Sequence, residues 1–261
     1  MERILTIIDK EWAEVFKNRI VLFTVGFMPL MFTLMPLAIL FFSRNSDMSG
    51  DVADLPPSFR AACGEMSAGA CMQVFLVNQF LLLFMMMPLI IPVAIAAYSI
   101  VGEKTTRSLE PLLATPITTI ELLTAKSLAA AIPAILATWI CFAVFVIAAP
   151  IVGAAPPVVA SLFNPMWSLA VFVAGPLMAI MAVNFAVIVS SRVTDPRTAE
   201  QTSAVIIVPL LGLVFGQLAG VIVLNAQLML VVISLLVLAD VGLIYLGARL
   251  FQREAILTKW K

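Results

Sequence analysis

A chain of 261 residues that is 62% hydrophobic and 11% charged, with a mean hydropathy of +1.12, lies outside the soluble globular class. Its formal net charge is zero, and no nucleic-acid partner is expected. Histidine is absent, which excludes serine–histidine hydrolysis and zinc sites with histidine ligands.

Residues 1–19 come before the first apolar run. Ile4, Ile8, Trp12, Val15 and Phe16 fall on one helical face, and Arg3, Asp9, Lys10, Glu14 and Lys17 fill most of the rest. This pattern predicts an amphipathic helix in the membrane interface, with Trp12 at headgroup depth. The run that follows is a full span, so it is expected to act as an uncleaved anchor.

Crossing a bilayer takes about 20 apolar residues. Six runs qualify: Ile20–Phe42, Phe75–Ile100, Leu128–Pro150, Met166–Ser190, Thr202–Val223 and Leu228–Ala248. They are continuously apolar rather than alternating, which favours helices over a barrel. The expected fold is an all-α integral membrane protein, a single domain over 1–261, with six transmembrane helices after the interfacial one. Of the 15 Lys and Arg residues, all but Arg44 and Arg60 fall on the side that holds both termini. That side is therefore expected to be cytoplasmic. Every span except the last contains proline, at Pro29, Pro36, Pro88, Pro92, Pro133, Pro176 and Pro209. Each removes a helix donor and frees a carbonyl for which neighbours must provide.

The outer loop, residues 43–74, is acidic through Asp47, Asp51, Asp54 and Glu65. Cys63 and Cys71 within it have a spacing that permits a disulfide, and an oxidising compartment would favour one. Cys141, inside the third span, is expected to be a small buried apolar residue.

A polar island, residues 102–118, separates the second and third spans. Glu103 and Arg107 stand at i,i+4. Leu109, Leu112 and Leu113 give its helix an apolar face, and Pro116 ends it. Thr118 and Glu121 then form a capping box that opens the third span. Asp195 followed by Pro196 is a second helix start, with Glu200 early in that helix, where the dipole favours a negative charge. Gly212, Gly216 and Gly220, with Gln217 beside them, form a small-residue stripe suited to close helix approach. Asp240 is the one acidic residue inside a span. It lies roughly 13 Å from Arg249 at ~1.5 Å per residue, near mid-membrane. It must be protonated, bonded to a group such as Asn184, or facing water, and it is a candidate either for the translocation path or for packing.

The stretch from Glu103 to Lys126 resembles the cytoplasmic segment of type-2 ABC export permeases. Glu103-Lys104, Ser108-Leu109-Glu110, Leu112-Leu113, Thr115-Pro116 and Glu121 to Lys126 match position by position, and Arg107 stands where that family usually has glycine. The resemblance implies a permease subunit in the cell membrane of a prokaryote. In that reading Glu103, Lys104, Arg107, Leu109, Glu110, Leu113, Thr115 and Pro116 dock on a separate ATP-binding subunit. It also implies a second permease, identical or paralogous, with ATP and Mg held by the partner. This chain has no phosphate loop of its own, because Lys126-Ser127 lacks the preceding glycines; no cofactor or metal is expected on it. The rival reading is a proton- or ion-coupled secondary transporter that uses Asp240. The coupling-like loop and the lack of repeat symmetry weigh against it.

Overall fold

Three of the long apolar runs of this chain change their winding just before a proline. The computed structural model describes residues 2–17, 19–43, 63–64, 66–105, 118–222 and 224–250. Its helices are α1 (Glu2–Val15), α2 (Arg19–Ser43), α3 (Ala68–Phe84), α4 (Met87–Thr105), α5 (Thr119–Ile151), α6 (Pro156–Leu162), α7 (Pro165–Leu169), α8 (Gly175–Ser190), α9 (Pro196–Ser203), α10 (Val208–Leu218) and α11 (Ala226–Leu250). No strand occurs among the described residues. Among the described residues, six helical stretches are long and apolar enough to cross a membrane: Val21–Ser43, Ala68–Ser99, Glu121–Ile151, Pro156–Ser190, Pro196–Leu218 and Ala226–Gly247.

The second, fourth and fifth spans are composites, and each break lies just before a proline. In the second, α3 stops at Phe84, whose carbonyl Pro88 has no N–H to meet. In the fifth, the turn over Ala204–Ile207 tightens to 3₁₀, so that the Val208 N–H reaches the Val205 carbonyl. That is the carbonyl Pro209 leaves without a donor. In the fourth, the turn over Ala170–Ala174 widens to π geometry, and the Gly175 N–H bonds to the Ala170 carbonyl. Since residue 176 is proline, the Val171 carbonyl is left over. The Trp139 indole N–H takes it at 3.1 Å.

The second and fourth spans form the centre. Their apolar windows are 78% and 50% buried, against 17–33% for the others. Ala179, Ala182, Val183 and Ala186 are fully buried on α8, and small side chains of this kind let α8 lie close against α4. The second span begins at Ala68 rather than Phe75, because Ser67 caps α3 by accepting from the Ala70 N–H. The last part of the expected outer loop is thus helical. Gln73 fastens this end of the bundle: its amide donates to Ser43 Oγ at 3.1 Å, and its carbonyl accepts from the Ala155 N–H at 3.2 Å.

Candidate functional site at the basic end of the bundle

The apolar stripe of α1 is built from Ile4, Ile7, Ile8, Trp12 and Val15, spaced at three and four residues. Glu11 occupies the same stripe. A carboxylate at such a position must find a partner when the face is buried. Ile7 and Ile8 pack on Leu122, Ala125 and Ala129 of α5, with Ile4 and Trp12 alongside. Glu11 is thereby reduced to 2% exposure and Lys126 to 6%. The Lys126 ammonium lies 2.7 Å from Glu11 Oε1 and 2.8 Å from Ser99 Oγ. The Ser99 hydroxyl donates to the other oxygen of Glu11. Three elements, α1, α4 and α5, therefore meet in one charged knot inside an apolar collar. Lys10 stands 4.0 Å from Glu11 and 3.6 Å from Glu14 at the rim.

A second contact holds α1 to α5. Pro133 cannot donate to the Ala129 carbonyl one turn earlier. The Trp12 indole N–H fills that place at 2.9 Å. Trp12 is accordingly half-buried against the bundle, and Phe16, expected on the apolar face, is exposed.

The ends of α4 and α5 flank residues 102–118. On α5 the expected capping box is present: the Glu121 N–H reaches Thr118 Oγ1 at 3.2 Å, and the Thr118 N–H reaches Glu121 Oε2 at 2.8 Å. On the other flank, α9 packs on α4 through Ala199 against Ala97 and Val101. The start of α9 is fixed by Asp195, which accepts from the Thr198 N–H at 2.9 Å and from its hydroxyl at 3.0 Å. The Thr198 N–H, then its hydroxyl and the nearby Arg197 charge hold the Asp195 carboxyl below its ordinary value.

Glu103 and Lys104 fall in the last turn of α4. Arg107, Leu109, Glu110, Leu113, Thr115 and Pro116 lie outside the described residues. Lys126 and Ser127 lie within α5, with Lys126 committed to Glu11. Cys63 and Cys71 form a disulfide with Cα atoms 5.6 Å apart, and Cys141 is half-buried as a free thiol. The glycine stripe divides. A Cβ on Gly212 would meet nothing within 4 Å, whereas one on Gly216 would come within 2.9 Å of Ile222 Cγ1. Gly220 turns the chain at φ +71°, and the Val221 and Ile222 N–H groups fold back on the Gly216 carbonyl. Gly216 and Gly220 thus serve the end of their own helix. Gln217 is buried beside them, with its amide oxygen unpartnered among the described residues.

Asp240 is 5% exposed, and neither carboxylate oxygen has a hydrogen-bond partner among the described residues. The pairing with Asn184 is not formed: the Asn184 amide donates to the Ile180 carbonyl of its own helix at 3.0 Å. Sequence reasoning missed Glu11 and Ser99. The available signal was the carboxylate standing at a stripe position between Ile8 and Val15.

No curated protein matches the chain. A family model described as "ABC-2 family transporter protein" matches residues 5–254, which takes in most of α1, the knot at Lys126 and all six spans. An all-helical bundle with an amphipathic first helix pinned beside a polar connection between its second and third spans is consistent with a permease subunit, and the chain belongs to the ABC-2 family of transporter membrane proteins.

Proposed function

We propose that this chain is the membrane-spanning subunit of an ATP-driven exporter in the cell membrane of a prokaryote, with the basic end of the bundle on the cytoplasmic side. Residues 102–118 dock on a separate ATP-binding subunit, which holds ATP and Mg. Glu103, Lys104, Arg107, Leu109, Glu110, Leu113, Thr115 and Pro116 supply the contacts. The observation that best supports this reading is how the helices on either side of the segment are held. α4, which leads into it, and α5, which follows it, are both tied to α1 by the knot. A push on the segment therefore moves the second and third spans together with the interfacial helix. A second permease copy, or a paralogue, completes the pathway. Open space around Gly212 and the exposed apolar faces of α2, α10 and α11 leave room for lipid and for that partner.

The test is purification of tagged chain in mild detergent, with a search for a co-purifying P-loop ATPase. The ATPase is expected to appear, and Glu110→Lys is expected to weaken its association or to uncouple hydrolysis from transport while membrane insertion is retained. Absence of any ATPase under every nucleotide condition, together with transport by the Glu110→Lys protein, would overturn the reading.

A further inference from the structure

Two cavities lie at successive depths along α8 and α11, and Asp240, which lines neither, falls between them in the register of α11. On the side away from the basic end, a cavity of about 110 Å³ is lined only by apolar side chains, among them Met85, Trp167, Met178, Met229 and Leu236. Toward the basic end, a cleft of about 220 Å³ is lined by Thr124, Ser127 and Asn184 together with Ile244 and Gly247. Leu236, Asp240, Ile244 and Gly247 recur at three- and four-residue spacing and so share one face of α11. Asp240 is the next position inward from the polar cleft and the next outward from the apolar cavity.

Asp240 needs a partner that the described residues do not supply. Both its oxygens are unpartnered. Protonation would remove the charge and still leave the carboxyl without a hydrogen-bond partner. An apolar occupant would leave the group unsatisfied, and an anion would be repelled. A cation satisfies it. The cleft, which begins one turn along α11 from Asp240, offers hydroxyl and amide groups, and the apolar cavity, one turn the other way, accepts hydrocarbon. The cleft is open on the flank of the bundle, where Leu128 and Ile244, both in its lining, are 39% and 52% exposed.

We propose that α5, α8 and α11 form a binding site for a monovalent cationic amphiphile of the alkylammonium class. Asp240 is its counter-ion, Thr124, Ser127 and Asn184 surround its head, and the apolar cavity takes the start of its tail. The ligand enters sideways from the leaflet at the basic end. This deepens the permease reading by giving the cargo a chemical class, and it is tested by binding alone, without any ATPase, so its failure leaves the docking experiment untouched.

The experiment measures binding of dodecylammonium, and of dodecanol as the neutral probe of equal tail, to the full chain in nanodiscs, with empty nanodiscs as background. Saturable binding of the ammonium is expected, at least about tenfold tighter than that of the alcohol. Asp240→Asn is expected to remove that preference, and Asp240→Glu to keep it. Equal binding of the two probes by the unaltered chain overturns the proposal. So does an Asp240→Asn protein that keeps the preference. If Asp240→Asn does not fold, the comparison of the two probes on the unaltered chain still decides.

Discussion

Replacing Glu11 with Gln is the sharpest perturbation of the knot at the basic end. The change keeps size and most hydrogen bonding but leaves the Lys126 ammonium, at 6% exposure, facing a neutral group. Breaking one member of a buried ion pair typically costs about 3–5 kcal/mol, because the remaining charge has lost both water and its partner. At about 1.4 kcal/mol per tenfold, the docked state of α1 is disfavoured roughly a hundred- to several-thousandfold. Undocking gives Lys126 water again, so the penalty appears as release of α1 rather than as unfolding of the six spans. Hydrogen exchange of the peptide covering residues 2–15, in nanodiscs, should accelerate accordingly while α8 stays protected. The double variant Glu11→Leu/Lys126→Met removes both charges and fills the space with hydrocarbon, so it should restore protection to near the starting level. Unchanged exchange in Glu11→Gln, or a double variant as fast as the single, would refute the reasoning.

The Trp12–Ala129 contact makes a parallel prediction. Trp12→Phe leaves the Ala129 carbonyl unpaired and should cost about 1–3 kcal/mol in thermal unfolding. Pro133→Ala supplies a main-chain donor, so the double variant should lose less than the sum of the singles. The glycine stripe separates by location. Gly216→Ala meets Ile222 within the same chain and should destabilise the isolated subunit by about 1–3 kcal/mol. Gly212→Ala meets nothing in this chain, so it should leave the subunit's melting temperature unchanged; a loss of dimer mass in native mass spectrometry would then report a neighbour at that face.

Features governed by local chemistry were legible before any coordinates. The spans follow from runs of apolar residues, and the helix starts at Thr118 and Asp195 from caps that act over three residues. The breaks at Pro88, Pro176 and Pro209 lie where a missing N–H must tell, though whether a turn tightens or widens depends on what neighbours supply. The knot is different in kind. Glu11 and Lys126 are separated by 115 residues, and no periodicity joins them. Lys126 drew attention as the end of a family segment and Trp12 as an interfacial anchor, because each has an ordinary role available in its own surroundings. Asp240 stood out for its depth, but its lack of a partner emerged only from how α8 and α11 pack.

The two tryptophans that cap proline-freed carbonyls carry a lesson for anyone shortening this protein. A chain cut to start at Arg19 keeps every span and looks, by hydropathy, like the same permease without an ornament. It would nevertheless strand an ammonium and a carbonyl at the mouth of the third span, both shaped to receive a helix no longer attached. Pro133 and the first seventeen residues are one unit of inheritance. Tags, fusions and crossovers between relatives should be placed so that the two travel together.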